Sequence, residues 1–230
     1  MFVSLPTRQK RSLRWATPLL FVLLWAAYVW ATAGSDTHQK QLLLDWGAVS
    51  GGLASPAAWL DALRDGRGLR LVTALFLHAD WAHLLGNLVF LLIFGLPAER
   101  AMGPWRFLGL FLIGGAIANL AAAISIDAPD RIIIGASGAV SAIIGAYLAL
   151  FPRARLGVVL PLGLFLEFVR APASLLIGIW ALLQVVFAYI GPALGAVAWW
   201  AHLAGFAFGI VFAIFVRAAI ARRLRRQRGF

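Results

Sequence analysis

Residues 199–216 read Trp-Trp-Ala-His-Leu-Ala-Gly-Phe-Ala-Phe-Gly-Ile-Val-Phe-Ala-Ile-Phe-Val, a run with no charge and one polar side chain, His202. A helix needs about 20 mostly apolar residues to cross a bilayer. This stretch therefore reads as a span, and an ionisable group inside a span is costly enough to call for a reason. The rest of the chain agrees with a lipid environment. Of 230 residues 62% are hydrophobic and 13% charged, against about 45–50% and about 25% in soluble domains. The mean hydropathy is +0.88. The absence of cysteine excludes disulfides, thiolate metal sites, iron–sulfur clusters and cysteine nucleophiles.

Five further segments approach span length: 16–33, 83–96, 107–126, 137–151 and 173–190. Two of the six are short. The second extends backwards only by taking in His78, Asp80 and His83, and the fourth begins at the irregular Gly135-Ala136-Ser137-Gly138. Polar or broken backbone at membrane depth is tolerated only beside protein or water, so both segments read as walls of an active site.

The net charge of +11 is topological rather than a nucleic-acid signal. With six spans, fifteen of the 20 basic residues fall on one side: Arg8, Lys10, Arg11, Arg14, Arg100, Arg106, Arg153, Arg155, Arg170 and six in the tail from Arg217 to Arg228. The other side holds Lys40, Arg64, Arg67, Arg70 and Arg131, together with seven of the nine acids. Both termini are then cytoplasmic.

The first span also fits a signal peptide, with a basic start and Ala31-Thr32-Ala33 as a cleavage site. Its length and its Trp25, Tyr28 and Trp30 favour a retained span. The outer connection, 34–80, needs structure of its own. Apolar residues at helical spacing over 56–64 predict a helix lying in the interface. The tail Arg222-Arg223-Leu224-Arg225-Arg226 reads either as a contact with anionic headgroups or as a bare topology signal.

Ser137, alone, reads more readily as a helix N-cap or packing residue than as a nucleophile. Ser137, Ser141 and Gly145 share a small-residue face at i, i+4 and i+8, which lets another helix pack closely. His202, Gly205 and Gly209 form a matching face on the sixth span, the glycines spaced as GxxxG. His202 alone reads equally as a structural hydrogen-bonding group. Together the two residues make a serine nucleophile with a histidine base. His83 and Asn87, at i and i+4, place two hydrogen-bond donors on one helical face. The Ser137 amide at a helix N-terminus is a third candidate donor for an oxyanion. His78 reads as a loop anchor at the outer membrane edge, and Asn119 and Gln184 as groups that bond between helices.

Competing chemistries fall by residue type. There is no HExxH, and His78 and His83 stand without a glutamate between them, so a zinc hydrolase lacks its ligands. Lysine occurs only at Lys10 and Lys40, which leaves no intramembrane serine/lysine dyad. An aspartyl intramembrane protease needs two carboxylates within spans, and every acid reads as lying in a loop or at a span edge.

Four short strings in order carry a resemblance. They are Phe76-Leu77-His78-Ala79-Asp80-Trp81-Ala82-His83 with Asn87, Glu99 with Gly103, Gly135-Ala136-Ser137-Gly138, and Ala201-His202-Leu203-Ala204-Gly205. With them the chain resembles the rhomboid family of intramembrane serine proteases, of the bacterial six-span type. The resemblance implies that Ser137 is the nucleophile and His202 the base. It further implies that His83 and Asn87 stabilise the oxyanion with the Ser137 amide, and that no acid completes a triad. Rhomboids often carry an aromatic four positions after the nucleophile, packed on the catalytic histidine. Here Ser141 stands there, so the resemblance leaves open what orients His202. The outer loop also lacks an obvious Trp-Arg pair seen in some relatives.

The sequence thus predicts an all-α polytopic membrane protein, a six-transmembrane-helix rhomboid-like bundle. Residues 1–15 form a basic cytoplasmic N-terminus, 16–216 the protease core and 217–230 a basic cytoplasmic tail. The expected activity is serine endopeptidase cleavage in or near the spans of membrane proteins, with His78, Gly135, Gly138, Ser141, Gly205 and Gly209 packing around the site. Substrate spans and lipid are the implied partners. No cofactor, metal or nucleic acid is implied. The expected location is a bacterial inner membrane, a codon-level hint from the excess of arginine over lysine. A second reading is a catalytically silent rhomboid-like scaffold that binds spans, although inactive relatives typically lose the serine or histidine. A transporter would need ionisable residues lining a path, and apart from the histidines the spans offer almost none.

Overall fold

The computed structural model describes residues 14–50, 61, 64–126, 131–162, 165–190 and 198–228. The basic residues Arg8, Lys10 and Arg11, and the interfacial helix expected over 56–64 apart from Asp61 and Arg64, lie outside them.

Helix α1 (Ala16–Thr32) leads into α2 (Asp36–Trp46), which Ser35 caps by accepting the His38 N–H. A two-residue strand β1 (Ala48–Val49) follows. After a 3-10 turn over Arg67–Leu69 come the single helical turn α3 (Arg70–Thr73) and a second 3-10 turn, Ala74–Phe76. Helix α4 (Trp81–Phe90) passes through a π-turn, Leu91–Gly95, into α5 (Leu96–Met102). Gly103, at φ +88, turns the chain into α6 (Pro104–Ser125). Strand β2 (Ile132–Ile133) pairs antiparallel with β1 and is followed by α7 (Ser137–Leu150). Strands β3 (Arg155–Leu162) and β4 (Phe165–Pro172) form a hairpin ahead of α8 (Ala173–Ile190) and α9 (Trp199–Arg228).

The fold is that of an all-helical polytopic membrane protein. Four helical stretches are long and apolar enough to cross a membrane: Trp81–Met102, Pro104–Ser125, Ala173–Ile190 and Trp199–Arg223. The remaining two expected spans are the shorter apolar helices α1 and α7. The second segment is longer than the expected 83–96. Its π-turn absorbs one extra residue and lets a continuous helix run from Trp81 to Met102. Helix α9 likewise continues past the expected end at residue 216, so most of the basic tail is helical.

Helix α7 is the axis of the bundle, buried at every residue from Gly138 to Tyr147. Around it pack Leu84, Leu88, Leu91 and Phe94 of the second segment and Phe107, Leu110 and Phe111 of α6. Outward-facing Val22, Leu182, Tyr189, Ile214 and Phe215 are exposed. Apolar surface this extensive suits lipid rather than water.

One connection differs from expectation. The connection carrying Arg153, Arg155 and Arg170 is not a simple loop but the β3–β4 hairpin, in register from Arg155 opposite Pro172 to Leu162 opposite Phe165. Its Val158, Val159, Phe165, Phe168 and Val169 are strand-favouring residues. Glu99 stands at a span edge as expected, in the last turn of Trp81–Met102. It is fully buried in α5, within Trp81–Met102, and its two carboxylate oxygens accept the backbone N–H groups of Ala16 and Thr17 at 2.9 Å each. The first N–H groups of a helix have no intrahelical acceptor, so a carboxylate at that positive end is stabilised where a free one would not be. Asn119 does bond between helices, donating to the Leu71 carbonyl at 2.8 Å.

Candidate active site

The loop ahead of α7 sets the position of Ser137. Gly135, at φ +107, donates its N–H to the Ala74 carbonyl at 2.8 Å. That conformation is open to glycine and strained for residues with a Cβ. Ala136 occupies the N-cap position with no side-chain cap bond, so Ser137 opens the helix and its hydroxyl does not cap it. The Ser141 hydroxyl turns back one helical turn and donates to the Ser137 carbonyl at 2.7 Å.

The Ser137 hydroxyl instead meets His202: Oγ lies 2.9 Å from Nε2. His202 is in the first turn of α9, and its distance from α7 is set by glycines. A Cβ on Gly205 would strike the Gly138 carbonyl, one on Gly209 the Ala142 carbonyl, and one on Gly145 the Phe206 carbonyl. Gly138 in turn lies against the Ala118 side chain of α6. The two small-residue faces read from the sequence therefore meet, and backbone lies against backbone.

The other imidazole nitrogen of His202, Nδ1, lies 2.7 Å from Oε1 of Gln184 on α8. Trp199 stands edge-on to the ring, with centroids 5.9 Å apart, and itself stacks on Phe187 of α8. The sequence marked Gln184 only as a group bonding between helices and gave Trp199 no role. A signal for Gln184 was present. Ala173, Ile177, Gln184 and Ala188 are the buried residues of α8, spaced four, seven and four apart, so the amide sits within the one stripe that faces protein.

Helix α4 brings up the remaining group. Asp80 caps it by accepting the His83 N–H at 2.9 Å. The His83 ring lies over Gly135, and a Cβ there would be 2.5 Å from its Cε1 and Nε2. Asn87 is turned toward its neighbours: Nδ2 is 3.1 Å from Nε2 of His78 and donates to the His83 carbonyl at 3.0 Å. His78 is buried, and its Nε2 also faces the Ala136 N–H at 3.5 Å. A nitrogen that receives donors carries no proton. Burial first, and the neighbouring His83 second, push the His78 imidazole down to about 4, so it is neutral at physiological pH. His78 is thus more than a loop anchor: it ties α4 to the residue before Ser137.

Ser137, His202, His83 and Asn87, which the sequence singled out, converge from α7, α9 and α4. Ser137, His83 and His202 are half-buried, within reach of a ligand, whereas Asn87 and His78 are buried. Among the described residues no three of His, Asp and Glu approach one another as metal ligands would. A hydroxyl facing an imidazole nitrogen, beside further polar hydrogens at a helix N-terminus, has the parts for nucleophilic attack on a carbonyl.

Comparison with known proteins gives the same frame. Over 131 residues the chain is 31% identical to YdcA of Bacillus subtilis (strain 168), which carries a rhomboid protease name, covering 56% of this chain and 59% of that one. It is 30% identical over 87 residues to RHOMBOID-like protein 5 of Arabidopsis thaliana, covering 38% and 28%. It is 37% identical over 84 residues to Rhomboid-related protein 1 of Caenorhabditis elegans, covering 36% and 23%. At 59%, 28% and 23%, the chain spans less than two thirds of the length of each of these relatives. The family model described as the Rhomboid domain matches residues 65–219, a stretch that contains His78, His83, Asn87, Ser137, Gln184 and His202, and the chain belongs to the rhomboid family.

Proposed function

We propose that the chain is an intramembrane serine endopeptidase that crosses the membrane six times, with both termini in the cytoplasm of a bacterial cell. The observation that carries this reading is the 2.9 Å contact between Ser137 Oγ and His202 Nε2. In this mechanism His202 takes the Ser137 proton as Oγ attacks a substrate carbonyl. The tetrahedral intermediate places its oxyanion near the amide N–H of Ser137, with His83 as a side-chain donor and Asn87 as a second once its amide turns away from His78 and the His83 carbonyl. The imidazolium then returns its proton to the leaving amine. Water, deprotonated by the same histidine, hydrolyses the acyl-enzyme and frees the serine. A substrate span must unwind locally, because helical carbonyls are already hydrogen-bonded.

The test is cleavage of a single-span substrate in liposomes, beside covalent labelling of Ser137 with a fluorophosphonate probe. The parent is expected to cut and to label, and Ser137→Ala and His202→Ala to do neither. Cleavage that survives both substitutions would overturn the mechanism. Binding of the span with no cleavage and no labelling of the parent would favour a silent scaffold instead.

A further inference from the structure

We infer that Gln184 is the positioning residue of this site, holding His202 in the tautomer with its proton on Nδ1 and its Nε2 lone pair aimed at Ser137. The inference rests on the protease reading for its consequence and on hydrogen-bond bookkeeping for its geometry.

The amide of Gln184 could face His202 with either its oxygen or its nitrogen, and the helix decides which. Nε2 of Gln184 lies 3.4 Å from the Trp180 carbonyl, one turn back on α8. A carbonyl only accepts, so the NH2 group belongs on that side and Oε1 belongs on the other. Oε1 faces Nδ1 of His202 at 2.7 Å. Two acceptors cannot share a contact of that length without a hydrogen between them, so Nδ1 carries the proton. In a neutral imidazole the second nitrogen is then an acceptor. That nitrogen is Nε2, 2.9 Å from the Ser137 hydroxyl. The order Trp180 carbonyl, Gln184 amide, His202 imidazole, Ser137 hydroxyl is a chain of donors and acceptors with one consistent assignment.

A neutral amide suits this position for a physical reason. A carboxylate orients an imidazole equally well, but an ionised group in a span carries a penalty of a few kcal/mol. The amide fixes the tautomer with no charge to bury. It also answers what replaces the aromatic absent at Ser141. The ring is held at its Nδ1 by Gln184 and along one edge by Trp199, both braced through α8.

The experiment compares the parent with Gln184→Met, which keeps the length and loses the acceptor, and Gln184→Glu, which keeps an oxygen toward Nδ1. The first readout is nitrogen NMR of protein labelled at its four histidines, in liposomes at neutral pH, with His202 assigned by its alanine variant. The parent is expected to show His202 protonated at Nδ1 only, Gln184→Met a mixture or reversal of the two tautomers, and Gln184→Glu the parent pattern. The second readout is turnover. Gln184→Met should lower kcat by about 10- to 10²-fold, the scale of a misplaced catalytic group, with KM within about twofold, and Gln184→Glu should recover much of the loss. A Gln184→Met protein that keeps the parent tautomer and the parent kcat overturns the inference. A parent that shows the Nδ1 proton, loses it in Gln184→Met and never cleaves leaves Gln184 as the tautomer-setting group and sinks the protease reading instead.

Discussion

The imidazole of His83 occupies the volume that a side chain on Gly135 would need: an added Cβ would lie 2.5 Å from both Cε1 and Nε2 of the ring. Gly135 also holds φ at +107. Gly135→Ala therefore meets two obstacles, backbone strain of about 1–3 kcal/mol and a ring that must move away from Ser137. The expected result is a lower melting temperature and a fall in kcat of about 10- to 10²-fold. Thermal unfolding and liposome kinetics on the same preparation check both.

The glycines of α7 and α9 make a prediction with its own control. Gly209→Ala pushes a methyl into the Ala142 carbonyl, so the helices must separate, at a cost of about 1–3 kcal/mol. The Ser137–His202 contact should lengthen, and fluorophosphonate labelling should slow by about tenfold or more. Gly178→Ala on α8, where nothing lies within 4 Å of the added atom, should be neutral or slightly stabilising by up to about 1 kcal/mol. Equal effects from the two changes would remove close packing as the reason for these glycines.

Glu99→Ala removes the acceptor of two backbone N–H groups at the start of α1. Bonds to a charged group contribute about 1.5–3 kcal/mol each, so a loss on the order of 3 kcal/mol is expected in denaturant titration. Glu99→Gln keeps one oxygen and should lose less. Once either variant is folded, its kcat should stay near that of the parent, because Glu99 lies away from Ser137.

The buried neutral state of His78 gives a pH dependence of stability. The unfolded imidazole takes up its proton near 6.5 and the folded one near 4, so between these values the unfolded state binds more protons. Stability should be level above about pH 6.5 and fall as the pH drops toward 4, by on the order of 3 kcal/mol from this group. Melting curves of the parent between pH 4 and 8 should show that slope. It should flatten in His78→Asn, and a parent curve that is level down to pH 4 would contradict the assignment.

The long apolar helices were legible from the sequence because apolar length marks them, whereas the polar α2 was not. The pairing of Ser137 with His202 was legible because each lies on a face of small residues, and two such faces are complementary wherever they meet. Gln184 was visible as a polar group in an apolar helix. Its partner was not, since helical spacing gives the direction of a side chain and not what a neighbouring helix brings to it. Glu99 was legible as a span-edge residue, but its partner was not, since the helix N-terminus it caps lies more than 80 residues away in sequence. The β3–β4 hairpin was hidden by Pro161, a residue that argues against a strand, and by the basic residues at its ends. The helical end of α9 was hidden by its charge, which is a topology signal and does not say whether a tail is helical.

The shortness of α7 bears on where the proposed hydrolysis would draw its water. Fourteen residues of helix are about 21 Å long, roughly 9 Å less than the hydrocarbon thickness of a bilayer. In the proposed six-span topology Arg153 and Arg155, which follow its far end, would hold it at one headgroup layer, so the shortfall would fall at the end that carries Ser137. On that reading the Ser137 hydroxyl would sit about 9 Å beneath the opposite edge of the hydrocarbon. That depth would be bridged by the irregular backbone around His78 and Gly135, which lipid could not solvate. A polar opening of about that depth would then suffice to bring water to the proposed nucleophile.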